Sequence, residues 1–226
     1  MNITNKDLKR RIIEISWKHK LSHLGSCLTA VDIIDSIYSI KKHDEKFVLS
    51  SGHAALALYC VIEKYSWMST KEDEPGKIID TSKKLNAEKI FNHHGVHPDY
   101  CEKCHIDCST GSLGNGLPIA VGMALADRRK KVYCLISDGE FSEGSIHEAL
   151  RIRSELSLSN LKVYLNNNGW GAYKKIDDKQ METFSFIYGI NQIKTNVDYL
   201  PFLKGQDAHY HIMNEEEYKQ AMEILR

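Results

Sequence analysis

One stretch, Val132 to Trp170, limits the possible fold more than any other part of the chain. An apolar run, Val132–Ile136, leads through Ser137 into Asp138-Gly139-Glu140. A helical pattern follows, roughly Glu143 to Leu156. A second apolar run, Leu161–Leu165, leads into Asn166-Asn167-Asn168-Gly169. Short apolar runs on either side of one helix make a βαβ unit with parallel strands. Both polar clusters then fall at the carboxyl ends of the strands, where open parallel sheets bind ligands. Asp138 offers a hard anionic oxygen, and Asn168, thirty residues on, a neutral one. Mg²⁺ favours one or two carboxylates, a few carbonyls and phosphate oxygens. Gly139 and Gly169 allow backbone to come close to a ligand. Asp-Gly and Asn-Gly pairs are also ordinary turns. It is the pairing of two such clusters, each behind a strand, that points to a metal and a diphosphate.

The 226 residues suffice for one α/β domain with a substantial core. Thirty Lys and Arg balance thirty Asp and Glu. Zero net charge argues against a general nucleic-acid binder or a membrane-surface protein. The start, MNITNKDLKRRIIEIS, is charged and lacks the apolar segment of a secretory signal. No apolar run has the length of a membrane span. A cytoplasmic protein with mostly reduced thiols is expected. Three of the six cysteines cluster at Cys101, Cys104 and Cys108 beside His105. CxxC can bind zinc, but no second CxxC completes a closed site, so the bland alternative is a loop with free thiols.

In chain order, Asn5 to His19 predicts an amphipathic helix, and Leu21 to Ser26 a loop. Thr29 is the expected N-cap of the next helix. A short strand, Lys46–Leu49, precedes Ser50-Ser51-Gly52-His53 and a helix from Ala54 to about Tyr65. Trp67 to Ile90 predicts irregular connection with a short helix. Asn92 to Pro98 is dense in histidine, and His93, His94 and His97 are the types of residue that ligate metals. Gly111, Ser112 and Leu113 lie in a Gly-rich turn opening the helix Leu117–Asp127. Free N–H groups and the dipole of such a helix start favour anions. Asn214-Glu-Glu-Glu217 reads as a capping box.

Several strings resemble the transketolases among the thiamine diphosphate enzymes. SHLGSCLTAVDII is similar to that family's SGHPGGSLSAADIL, FVLSSGHAALALYCVI to FVLSKGHAAPALYAVL, and STGSLGNGLPIAVGMALA to TTGPLGQGLANAVGMALA. The family's Gly-Asp-Gly, with Asn about thirty residues later, corresponds to Ser137-Asp138-Gly139 and Asn168. The departures are Ser137 for a glycine, Leu24 for a proline and Val96 for a glycine.

The resemblance implies a three-layer α/β thiamine diphosphate-binding fold with a central, mostly parallel sheet, formed by residues 1–226 as one domain. It implies Mg²⁺ (replaceable by Ca²⁺ or Mn²⁺) on Asp138, Asn168 and the carbonyl of Trp170. Cofactor contacts would come from His53, Gly111, Ser112, Leu113, Gly139, Glu140 and Asn168. His23, His53, His97 and, on spacing, His209 rather than His211 would serve the substrate channel. Only 56 residues follow Trp170, and the resemblance fades there. The cofactor needs a second surface for its aminopyrimidine, which this chain is too short to supply. A separate pyrimidine-domain subunit in an α2β2 assembly is therefore expected, acting on a sugar phosphate by two-carbon ketol transfer. The alternatives are another thiamine diphosphate reaction, on a 2-oxo acid or a specialised sugar, and a non-catalytic remnant of the fold.

Overall fold

The computed structural model describes residues 4–66 and 85–226. The order of elements is α1 (Lys6–His19), α2 (Leu24–Ile40), β1 (Lys46–Leu49), α3 (Ala55–Tyr65), α4 (Ala87–His94), α5 (Gly116–Ala126), β2 (Val132–Ser137), α6 (Gly144–Glu155), β3 (Leu161–Asn167), α7 (Asp178–Tyr188), β4 (Asn191–Lys194) and α8 (Glu215–Ile224). The four strands pair in parallel in the order β1-β2-β3-β4. Leu49 lies opposite Leu135, Ser137 opposite Asn166, and Asn167 opposite Lys194.

Alternation along the strands sorts the core into two layers. Phe47, Leu49, Tyr133 and Leu135 face α1, α2 and α3. Val48, Val132, Cys134, Ile136, Leu161, Val163 and Leu165 face α5, α6 and α7. A sheet apolar on both faces must be covered on both faces, which gives the expected three layers. Ile12, Ile34 and Ile37 are fully buried on the first face and Ile146 and Leu150 on the second; each such side chain contributes roughly 1.5–3 kcal/mol.

The expected start of the second helix is corrected. Helix α2 starts at Leu24, so Thr29 is not an N-cap. It lies inside the helix, its hydroxyl donating to the Ser26 carbonyl and accepting from Asn166 Nδ2. A side chain that the strand end can use inside the core outweighs the local capping preference. Helix α4 carries the helical backbone through His94, so His93 and His94 form its last turn. Most of the stretch Trp67–Ile90 lies outside the described residues. The edge of the sheet after Trp170, where the resemblance fades, is completed by α7 and β4. Asn214 and Glu217 form the expected capping box.

Candidate active site

Parallel pairing sets Asp138 and Asn168 side by side at the carboxyl ends of β2 and β3. Asp138 is fully buried. Its Oδ2 accepts from the Gly169 N–H at 2.7 Å and its Oδ1 from the Gly139 N–H at 2.9 Å. No lysine or arginine pairs with it among the described residues. Burial pushes its carboxyl up to about 7, against the pull of those N–H donors. Asn168 Oδ1 accepts from the Trp170 N–H at 2.9 Å. The loop beyond it is folded back by an antiparallel bridge between Trp170 and Lys175.

Glu140 sits deeper, fully buried behind the same turn. Its Oε1 accepts from Ser50 Oγ at 2.5 Å and the Gly114 N–H at 2.9 Å. Its Oε2 accepts from the Ser137 N–H at 2.9 Å and Ser137 Oγ at 3.3 Å. Burial raises its pKa and these donors oppose the rise. One carboxylate thus ties the ends of β1 and β2 to the Gly-rich turn before α5. Gly52 lies so close to that turn that a Cβ there would stand 2.7 Å from Gly111 N. Gly111, at φ +155°, in turn leaves room for the His97 ring.

The four histidines singled out in the sequence meet above this floor. The His23 and His53 rings are 5.1 Å apart. His23, in the left-handed region at φ 61°, donates its N–H to the His209 carbonyl at 2.7 Å. His209 Nδ1 and Ser26 Oγ are 2.7 Å apart. His23 Nδ1 and His209 Nε2 are buried without hydrogen-bond partners among the described residues; the Trp170 carbonyl lies near His209 but outside bonding geometry. Burial, reinforced by His23, His209 and His97, lowers the His53 pKa to about 3. Burial also lowers His23 and His209. His23, His53 and His209 are thus neutral imidazoles, able to donate or accept at neutral pH. His211 lies elsewhere, 2.9 Å from Glu217 and with its ring 5.4 Å from that of Phe202. A cleft lined by Tyr38, Lys46, Tyr65 and Asp107 opens near the start of β1, and none of the four histidines lines it.

Residues 17–188 match the family described as transketolase, thiamine diphosphate binding domain. The chain belongs to this family. It is 29% identical over 182 residues to a protein of Phocaeicola vulgatus named as one subunit of an apulose-4-phosphate transketolase, covering 74% of this chain and 60% of that protein. It is 34% identical to human transketolase over 164 residues, 66% of this chain and 24% of the human protein. The transketolase structure from Campylobacter jejuni superposes with a TM-score of 0.73 at 20% identity, over 97% of this chain and 42% of that one. The chain therefore spans less than two thirds of each of these relatives.

Within the transketolase frame, the structure brings Asp138, Gly139, Asn168 and Trp170 together at the strand ends, and His23, His53, His97 and His209 around Gly111. It places Glu140 beneath both groups. Residue-by-residue reading missed the ties that hold these positions. Ser26 pairs with His209, and Ser50 with Glu140. Thr195 Oγ1 donates to Asn166 Oδ1 at 2.6 Å, closing the end of β4 onto β3. Single serines and threonines carry too little pattern to be found without the partner across the fold.

Proposed function

We propose that this chain is the diphosphate-holding subunit of a two-chain thiamine diphosphate- and Mg²⁺-dependent transketolase-like enzyme. It would transfer a two-carbon ketol unit from a ketose phosphate to an aldose acceptor. The observation that carries this reading is the buried, uncompensated Asp138 carboxylate beside Asn168, under a group of histidines. A carboxylate taken out of water without a positive partner is costly, and a divalent cation removes that cost. Asp138, Asn168 and the Trp170 carbonyl are the residues to hold Mg²⁺, with Ca²⁺ or Mn²⁺ as substitutes. Asp138 and Asn168 keep lone pairs beyond those given to backbone N–H groups.

The cofactor, when bound, supplies the carbanion chemistry at the ketose carbonyl. This chain's residues do the rest. The N–H groups of Gly111, Ser112 and Leu113, which have no backbone acceptor among the described residues, are free to meet an anionic group. Gly139 lets the strand end approach closely. His53 packs on the floor against Gly52, and the other histidines orient substrate hydroxyls and move protons between them as general acids and bases. Glu140 acts at one remove, keeping the turns in register.

A second chain is part of the proposal. Tyr173 is 91% exposed, and Tyr210 and Ile212 are more than half exposed. Tyr210 lies 6.5 Å from His23 and bonds the Ala172 carbonyl. Apolar surface at the mouth of a polar site marks a place where another surface sits. The Phocaeicola vulgatus relative, named as one subunit of its enzyme, fits a two-chain arrangement. We take the assembly here as α2β2, in the cytoplasm.

The test is reconstitution with the pyrimidine-domain chain, Mg²⁺ and thiamine diphosphate. Calorimetry and ketol transfer between xylulose 5-phosphate and ribose 5-phosphate are followed together. Both are expected only in the mixture, and Asp138→Ala is expected to weaken cofactor binding by at least ~100-fold. Cofactor binding with turnover of pyruvate instead would move the chain to a different thiamine diphosphate reaction. No binding in any mixture would make it a non-catalytic remnant.

A further inference from the structure

The CxxC segment lacks a second CxxC to complete a closed site, and the structure brings it a different partner. Cys108 is buried apart from it, its thiol turned to the Ser109 carbonyl. The residue that joins Cys101 and Cys104 is His94, from the last turn of α4. A ring nitrogen of His94 and the two Sγ atoms lie within 4.8 Å of one another. For ligand bonds of about 2.0–2.3 Å, a filled tetrahedral site has edges of roughly 3.3–3.8 Å. Small side-chain rotations close that gap.

The backbone around the cysteines already holds them in a tight turn. The turn Glu102–Cys104 is pinched by an antiparallel bridge, with Cys101 N–H to the Ile106 carbonyl at 2.9 Å and Ile106 N–H back to the Cys101 carbonyl at 3.0 Å. Cys104 N–H donates to Cys101 Sγ at 3.3 Å. His105 takes up the left-handed conformation, at φ 56°, that lets the chain leave the turn. A non-glycine residue in that region marks a turn held by its surroundings.

Two unsatisfied groups sit at the same place. Among the described residues His94 Nε2 is buried with no hydrogen-bond partner, and so is the hydroxyl of the fully buried Tyr59, whose ring is 6.3 Å from His94. Buried polar atoms without partners are rare enough to need a cause, and a ligand between these side chains supplies one.

We propose that His94, Cys101 and Cys104 form a binding site for a borderline-soft divalent transition metal, Zn²⁺ in the cell, with a water in the fourth position. The ligand types select this class over Mg²⁺, which prefers oxygen. The site is separate from Asp138 and Asn168. Its physical consequence is a clamp. Residues 95–110 leave α4 and return to the Gly-rich turn, pinned where Thr110 N–H meets the Pro98 carbonyl and Thr110 Oγ1 meets the Leu49 carbonyl. A metal joining α4 to the middle of that segment fixes the loop that carries His97.

Co²⁺ is the probe, because thiolate ligation gives a sulfur-to-cobalt absorption that an oxygen site lacks. Metal-free full-length chain is titrated with Co²⁺ under reducing conditions, then with Zn²⁺. The expected result is saturation at one thiolate-ligated Co²⁺ per chain, bleached by Zn²⁺. Cys104→Ser is expected to remove roughly half of the sulfur absorption and at least ~10-fold of the affinity, His94→Gln at least ~10-fold of the affinity alone. Cys108→Ser is expected to change neither, with circular dichroism confirming that each variant is folded. The site is refuted if wild-type chain shows no sulfur-to-cobalt absorption. Equal loss in Cys108→Ser and Cys104→Ser, or a Cys101–Cys104 disulfide in the chain as isolated, would overturn it as well.

Discussion

His53 shows how far a single side chain is bent to its surroundings. Its imidazole packs among three other histidines with no carboxylate on it, and burial first, then His23, His209 and His97, hold its pKa near 3. The sign of the pH effect follows. Below about 6.5 the unfolded imidazole takes a proton, whereas the folded one does so only near 3. Between those values the unfolded state binds more protons, so stability rises with pH. The contribution is fully present above about 6.5 and is lost as pH falls toward 3. From pH 7 to pH 5 it amounts to at most about 2 kcal/mol. Urea denaturation at both pH values should therefore show a shallower pH dependence for His53→Asn than for the wild-type chain; equal slopes would remove His53 as a source of acid sensitivity. The position of His53 beside Gly52 was legible from its string. That His23, His97 and His209 keep it company was implied by the resemblance, but the tie that holds His209 there, to Ser26 at 2.7 Å, was not, because His209 arrives from far along the chain.

At the level of elements, what matters is how the strand ends are joined. The βαβ unit was legible because its apolar runs alternate with turn signals at spacings that local patterns report. The Gly-rich turn before α5 was legible for the same reason. Its closeness to Gly52 was not, since contact between two turns depends on how α3, α4 and α5 route the chain. The prediction here separates space from backbone propensity. In Gly52→Ala the new Cβ would meet Gly111 N at 2.7 Å and the Thr110 carbonyl carbon at 2.8 Å, both backbone. Backbone must move, at a cost of about 1–3 kcal/mol, and the displaced turn should also weaken thiamine diphosphate binding. Gly122 in α5 has nothing within 4 Å of such a Cβ. Gly122→Ala should stabilise the chain by up to ~1 kcal/mol, leaving binding unchanged. Thermal melts and calorimetry on the two variants check both claims, and a Gly52→Ala chain of wild-type stability would show that the turns are not in contact.

Over the whole molecule, the site exists because the two ends of the chain are packed together. Val197, Leu200, Leu203, Ala208, Met213 and Ala221 of the tail are buried in the layer that also holds α1 and α2. Trp17 stacks on Tyr218 at 5.4 Å, and Lys6 Nζ donates to the Arg226 carbonyl at 2.8 Å. The tail thus completes the core as well as delivering His209. Its tightest point is Gly25, in the first turn of α2, where a Cβ would stand 2.8 Å from Ala208 Cβ and 3.0 Å from the Ala208 carbonyl oxygen. Helix propensity alone favours alanine over glycine by up to ~1 kcal/mol. The clash opposes it, and because one of the atoms struck is backbone, the clash should win. Gly25→Ala is expected to lower stability by about 1–3 kcal/mol and to lengthen the bond from the His23 N–H to the His209 carbonyl, moving the His209 ring signals in NMR. Adding Ala208→Gly removes the Cβ that is struck but leaves the carbonyl, so the double variant should recover part of the loss. A rise in melting temperature for Gly25→Ala would mean that α2 and the tail are looser than this packing requires, and that His209 is held by Ser26 alone.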